Sequence, residues 1–452
     1  MKKILLFAAT AMLFAACASD EDYAPQVTKN APQAVAFDTY TSIATRSGQT
    51  DVMTTTTLQT TGFGVFAAQT NDANAYAGSE TPDFMYNQKV TYLNPGWSYS
   101  PLKYWPNETT EDSQTENGAA TSTATDVVSF FAYAPYVEAT ATTGDVTSAT
   151  ISDEDNAATP ATVSNVGITK LSKNTDGGDP LVSYQIAYSP SKSVDLLWGV
   201  APAGGLSYTA VNGQNTTYGG AIAEGKPLLS LIKPAKDQKI KFLFKHALAR
   251  LGMDVVLAVD QISPGGKLDT YSRVYVNSVT ITDGASTKTI PVSGNLNLNN
   301  ATAGIAKWQD QGTKDLKLVI NANRELNPVL IGSTTDYSKD GVTEKATPVI
   351  ADGKYFMLIP TPGTAATLNV TIDYDVITKD DNVNGGWTTT NNVITKTVVL
   401  NSKEGTTDLG FINNKAYNLK LILGLTSVKL DAEVADWEVD GSTDVNLPRN
   451  ND

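Results

Sequence analysis

Cys17 is the only cysteine among 452 residues, and its neighbours decide what its sulfur can do. Ahead of it lie Lys2-Lys3, the apolar run Ile4 to Phe14 and the small pair Ala15-Ala16. A basic start, an apolar core of roughly 7–15 residues and small residues before the cut define an export signal. The run is too short for a permanent bilayer-spanning helix, which takes roughly 20 apolar residues. A cysteine directly after the small pair fits a lipoprotein signal, in which the thiol is acylated and Cys17 becomes the mature N-terminus. Phe14 stands three places before it, where Leu is commoner. The alternative is an ordinary secretory signal with an incidental cysteine, against which a lone thiol in an exported chain argues. A second covalent event is written at Arg46-Ser47. A basic residue followed by Gly48 and Gln49 offers an accessible cut for a trypsin-like protease. The alternative there is an exposed linker that is never cut.

The remaining chemistry-bearing residues argue against an enzyme. His246 is the only histidine, so any Ser-His-Asp arrangement must use it. On a strand it shares a face with Phe242, Phe244 and Leu248, the setting of a packed core histidine. A zinc site built on several histidines is excluded by count. Asp380-Asp381-Asn382-Val383-Asn384-Gly385 matches the first half of a calcium loop, but Asn391 stands where the closing Glu belongs. A β-hairpin turn is the better reading. Asp153-Glu154-Asp155 reads as a solvated loop with a weak calcium option. Gly62-Phe63-Gly64 lacks the third glycine and the helix of a phosphate loop. Trp97, Tyr99, Tyr104 and Trp105 are enough aromatics for a sugar platform, though such clusters are more often packing. No cofactor or metal site is expected.

The elements that must position these residues are strands. Hydrophobic residues make up 41% of the chain and charged ones only 18%, with Thr, Asn, Ser and Gly filling the difference. Residues 1–46 hold as many acids as bases, so the net charge of −14 belongs to residues 47–452. No basic patch is visible, which makes nucleic acid and anionic headgroups poor partners, and no nucleic-acid partner is expected. Any membrane attachment runs through lipid on Cys17. The apolar runs are short and alternate, as in Phe63–Phe66, Val127–Tyr133, Val274–Ile281, Leu368–Tyr374 and Val393–Leu400. Short helical turns are expected near Pro227–Ile232 and around Thr302–Gln309. Gly225–Lys239, with Pro227 and Pro234, is the best domain boundary. Segments 108–125, 139–165 and 334–347 are loops by composition.

Two further segments alternate. Val35, Phe37, Thr39, Thr41 and Ile43 fall on one face of a strand that ends just before Arg46. Near the other end, Val428, Leu430, Ala432 and Val434 alternate and continue to Trp437 and Val439. That second segment reads equally as the last strand of its own domain.

An ordered series of short motifs then resembles the fimbrillin-like proteins of Bacteroides and relatives. It comprises Phe63-Gly64-Val65-Phe66, Met85-Tyr86-Asn87, Trp97-Ser98-Tyr99 with Lys103-Tyr104-Trp105-Pro106, and Phe130-Phe131-Ala132-Tyr133-Ala134-Pro135-Tyr136. It continues with Asp195–Gly199, Phe244–Leu251, Tyr355–Pro360 and Val434–Trp437, spanning about residues 35–440. The acidic tract Ala18-Ser19-Asp20-Glu21-Asp22 is similar to the tag that sends lipoproteins of that group to the outer face of the outer membrane. The resemblance implies an all-β chain of two β-sandwich domains (transthyretin-like, Greek-key) in tandem. Residues 1–16 would be the signal, 17–46 a lipidated propeptide, 47–228 the first domain and 229–452 the second. It implies a type V pilus subunit that reaches the outer membrane through lipid on Cys17. Cutting after Arg46 would remove the first strand, and a strand from a neighbouring pilin would fill the groove. Val428, Leu430, Ala432, Val434, Trp437 and Val439 are the donor candidates. The implied partners are copies of itself or related pilins, the trypsin-like protease and a host or bacterial surface ligand. Within the family an uncut anchor or tip adhesin is the alternative. Outside it, a glycan-binding surface lipoprotein remains open.

Overall fold

Phe63–Thr70 and Val127–Ala134 are deeply buried strands, covered on both faces. This is seen in a computed structural model. It describes residues 33–41, 52–70, 76–106, 127–148, 151–154, 162–202, 206–207, 221–231, 239–257, 272–300, 304–314, 316–321, 330–331, 347–350, 354–423 and 428–437. The expected half-burial of these two strands is corrected by the burial itself. All eight residues of Val127–Ala134 are buried, so the run stays apolar instead of alternating with solvent-facing groups. One face joins Phe66, Phe131 and Tyr133 to a cluster with Tyr184, Tyr188 and Trp198. The other face joins Phe63, Val65 and Phe130 to a separate cluster with Leu58, Phe242 and Phe244.

The first sheet orders its strands Phe37–Thr41, Ile240–His246, Leu197–Val200, Val127–Ala134, Phe63–Thr70, Met85–Leu93 and Gly96–Ser98. The first of these is called the leading strand below, and its neighbour Ile240–His246 the wall strand. Their ladder is parallel. Leu228–Leu231 pairs with Val127–Ala134, so the helical turn expected at 227–232 is a strand. The helix expected near 302–309 is also replaced: Lys307–Thr313 is a strand paired with Pro291–Asn297.

A helix does occur where none was expected, at Thr55–Thr61. Its threonines have weak helix propensity, but the ends are well made. Thr57 donates its backbone N–H to the Thr54 hydroxyl at 3.3 Å, a capping box. Gly62 ends the helix at φ +70°, and a Cβ there would lie 2.5 Å from the Val90 carbonyl oxygen. Leu58 is the buried anchor.

The second half contributes two further large sheets. One orders Thr347–Pro348, Ala249–Leu257, Lys415–Leu423 and Val428–Asp436, the last called the closing strand below. The other orders Lys317–Asn321, Ser272–Asp283, Ala366–Lys379 and Trp387–Leu400. Here the expected alternation holds, with Leu368, Val370, Ile372 and Tyr374 inward and their neighbours half-exposed.

The division expected at 228/229 does not fall between sheets. The wall strand lies beyond it yet pairs with Leu197–Val200, and Pro291–Asn297 pairs with Leu181–Gln185. Such long-range pairings leave no mark in local composition.

Candidate functional site

The leading strand and residues 33–36 before it fill a groove with two backbone walls. On one side, Val35 donates its N–H to the Lys103 carbonyl and Trp105 donates to Gln33, both at 2.9 Å. Ala34 bridges Tyr104 antiparallel. On the other side, Phe37 to Thr41 run parallel to Ile240 to Phe244, and Ile240 donates to the Ala36 carbonyl at 2.8 Å. The Thr39 hydroxyl adds a bond to the Phe242 carbonyl at 3.0 Å. The Tyr99 hydroxyl donates to the Val35 carbonyl at 2.8 Å. Burial pushes the Tyr99 phenol up to about 12, which keeps it a neutral donor.

The side chains alternate into the groove. Val35 and Phe37 are each 1% exposed, Thr39 8% and Thr41 7%. The Phe37 ring sits among Tyr99, Phe130, Phe242 and Phe63, with centroids 5.5, 6.0, 6.1 and 6.2 Å away. Gly199 makes room for Phe242, since a Cβ there would meet that ring at 2.8 Å. Fully burying a side chain of this kind is worth about 1.5–3 kcal/mol. Ile43, Arg46, Ser47, Cys17 and Val439 lie outside the described residues.

The closing strand is less buried than the leading one. It pairs antiparallel with Lys415–Leu423 and ends its sheet. Val428 is buried, while Leu430, Ala432 and Val434 are only half-buried. Trp437 is buried, and its ring stacks on His246 at 3.9 Å and 5°. Arg250 lies 5.5 Å from the same ring. His246 Nδ1 stands 2.7 Å from Asp195 Oδ2, which also accepts the Met53 N–H at 2.9 Å. Asp195 Oδ1 accepts from Leu196 at 2.8 Å. His246 is thus a core residue with an aromatic lid on its ring, and Asp195 is a packing anchor.

The other candidates resolve into structural roles. Trp97 packs on Phe63 at 5.0 Å and on Tyr92 at 5.3 Å, Tyr99 and Trp105 are buried, and only Tyr104 is exposed. These aromatics wall the groove and do not form a flat sugar platform. Asp380–Gly386 is a hairpin tip, with Asn382 donating to Asp380 at 2.9 Å. The solvated loop expected at 153–155 is corrected at its first residue. Asp153 is buried because its Oδ2 accepts from Tyr188 N, Ser189 N and Ser189 Oγ. Among the described residues no group of three His, Cys, Asp or Glu side chains is placed to hold a metal ion. The sequence analysis singled out Lys103-Tyr104-Trp105 as part of a motif but did not place it as a groove wall.

No family model matches the chain. Fimbrium subunit Fim1C of Phocaeicola vulgatus is 22% identical over 466 aligned positions, covering 99% of this chain and 100% of that one. The chain thus resembles a fimbrium subunit of a Bacteroides-type organism over nearly its whole length. A crystal structure of a fimbrial protein from Bacteroides vulgatus shares the fold of this chain, with a TM-score of 0.55 at 21% identity over 90% of this chain and 99% of that one. What these relatives share with the present chain is length and architecture, and the groove supplies the local chemistry.

Proposed function

We propose that this chain is a structural subunit of surface fimbriae with no enzymatic activity. It is exported as a lipoprotein acylated at Cys17, carried to the outer membrane, cut between Arg46 and Ser47, and polymerised when another subunit's strand takes the place of the leading strand. The observation that carries this reading is the contrast between how the leading strand is buried and how it is attached. Its inward side chains are as buried as core residues, yet it lies at the end of the first sheet. Its only covalent link to the rest of the fold passes through residues 42–51, which contain Arg46. Loss of residues 17–46 would leave the wall strand unpaired along one edge, a template for another chain. Strand addition to such an edge gains affinity from main-chain bonds and specificity from alternate side chains.

The test is the intact mass and N-terminal sequence of protein shed from the cell surface. A start at Ser47 supports the reading. An acylated Cys17 at the mature N-terminus would mean that the leading strand stays, as in an anchor, and the stalk reading would be dropped.

A further inference from the structure

An open cleft of about 710 Å³ runs beside Lys307–Thr313, the strand that ends its sheet. Small-molecule sites usually fall between about 300 and 1,000 Å³. None of the residues lining this cleft belongs to the leading-strand groove. Trp308 forms part of its wall. The indole Nε1 donates to the Ala247 carbonyl at 3.0 Å, and Tyr184 lies edge-on with centroids 6.1 Å apart, so the ring is held in place while half-exposed. Around it stand the hydroxyls of Thr289, Thr361 and Thr364, the amide of Gln311 and the ammonium groups of Lys288 and Lys307. From this lining we propose that the cleft is a binding site for a carboxylated sugar. Trp308 offers a surface for the C–H face of a pyranose, the threonines and Gln311 meet its hydroxyls, and the lysines meet its carboxylate. The site stands apart from strand exchange and holds whether or not the chain polymerises.

Charge selects the class of ligand. The chain carries 47 Asp and Glu against 33 Lys and Arg, yet among the described residues the cleft is lined by two lysines and by no acid. The backbone keeps one acid out. Asn295 pairs with Gln309 and Ser293 with Gly312, so Gly294 lies opposite two residues, Asp310 and Gln311, in a β-bulge. In a regular strand Asp310 would share the face of Trp308. Instead Asp310 sits in the left-handed region at φ +50°, and its Oδ2 accepts from the Asn295 amide at 3.0 Å. The bulge sets Gln311 in the cleft in its place. A bulge that re-aims a side chain in this way is a common feature beside functional sites.

The walls are fixed before any ligand arrives. Asp283 accepts from the N–H groups of Ala285, Thr289 and Ile290 at 2.8, 2.7 and 2.9 Å, which holds the turn carrying Lys288. The Lys288 ammonium donates to the Asp283 carbonyl at 3.3 Å. Opposite, Thr364 donates its N–H to the Thr361 carbonyl and accepts from the Thr361 hydroxyl, both at 3.0 Å. The Gln311 amide donates to the Pro360 carbonyl at 3.2 Å and ties the strand to that turn. Asp179 stands 3.8 Å from the Lys307 ammonium, but it also accepts from Asn297 and Asn299 at 2.9 and 2.8 Å, so its charge is shared. Two lysines with an aromatic ring and several hydroxyls, and no arginine, suit a single carboxylate on a sugar better than a phosphate group.

Calorimetry and saturation-transfer NMR test the site. The full chain with Cys17→Ser is titrated with 3′-sialyllactose and with digalacturonate, two carboxylated sugars, and with lactose as the neutral control. Saturable binding of at least one carboxylated probe is expected below about 10 mM, about tenfold tighter than lactose. Binding of sialyllactose alone assigns a sialic acid, and of digalacturonate alone a hexuronic acid. Lys288→Ala and Lys307→Ala should each weaken binding by about tenfold, the loss expected for a bond to a charged group. Trp308 also packs on the core, so a second block avoids it: Thr364→Trp fills the cleft from an exposed turn and should abolish binding with an unchanged circular dichroism melt. Failure of both carboxylated probes to bind, equal binding of lactose, or binding that survives Thr364→Trp and both lysine variants overturns the assignment.

Discussion

Replacing Phe37 by Ala in the uncut chain should release the leading strand without unfolding the rest. The ring is 1% exposed and touches four other aromatic rings. A buried Phe→Ala change costs about 3–5 kcal/mol through lost transfer energy and the cavity left behind. The leading strand has one ladder neighbour in its sheet and a short antiparallel contact with Lys103–Trp105, so the loss falls first on local opening. Two amides report on it directly, because Ile240 donates to Ala36 and Trp105 donates to Gln33. Hydrogen exchange at both should accelerate by about 10²- to 10⁴-fold, the factor that 3–5 kcal/mol implies when opening is a pre-equilibrium. Amides in the ladder between Ser272–Asp283 and Ala366–Lys379 should not change, since Phe37 belongs to a separate apolar cluster. If Ile240 and Trp105 keep their protection while the whole chain loses stability, the strand is ordinary core. The idea of a removable element would then be wrong.

Three other perturbations follow from the same geometry. Leu430→Asp should abolish assembly of the cut chain while leaving the monomer folded, because Leu430 is half-buried at home; circular dichroism and gel filtration separate the two effects. Asp195→Ala strips acceptors from Met53 and Leu196 and leaves His246 beside an empty place, so urea unfolding should show a loss of about 1–3 kcal/mol per orphaned donor, and Asp195→Asn should lose less. A loss under about 1 kcal/mol in the Ala variant would contradict the anchor role. Tyr99 titrates near 10 when unfolded and near 12 when folded. The unfolded state therefore sheds its proton first as pH rises. The stability this group contributes is complete below about pH 10 and falls between about 10 and 12. The difference in urea midpoint between pH 9 and 11 should be smaller in Tyr99→Phe than in the parent, and equal differences would refute the claim.

The all-β class was legible because alternation survives wherever one face meets solvent, as along Leu368–Tyr374. It failed at Val127–Ala134, where both faces are covered and period gives way to a plain apolar run. The helix at Thr55–Thr61 was hidden by β-branched composition, although Thr54, Thr57 and Gly62 marked its ends. The inward face of the leading strand was readable residue by residue, since period 2 needs only local sequence. Its neighbours were not. The wall strand lies about 200 residues away, as the pairing of Thr39 with Phe242 shows, and no local signal encodes a parallel partner at that distance. Asp195 looked like one more acid in an acidic chain. Its role exists only because folding brings Met53 and His246 to its Oδ2.

A tethered strand is hard to displace, and this gives the proposed cut a physical purpose. Residues 42–51 connect Thr41 to Val52, so the leading strand competes for its own groove as an intramolecular ligand. A short tether sets an effective concentration on the order of millimolar. A donor from another copy must outbid that local concentration, even with a slightly better fit. Cutting after Arg46 removes the tether but leaves the strand bound by its ladder and by Phe37. The expected state just after cutting is therefore a nicked complex that still holds residues 17–46. A high concentration of donor subunit should then drive exchange. Native mass spectrometry of freshly cut chain should show the retained segment, and its loss should track polymer growth. Immediate loss of the segment in dilute solution, without polymer, would show that the groove does not hold its strand and that the tether is more than a local-concentration device.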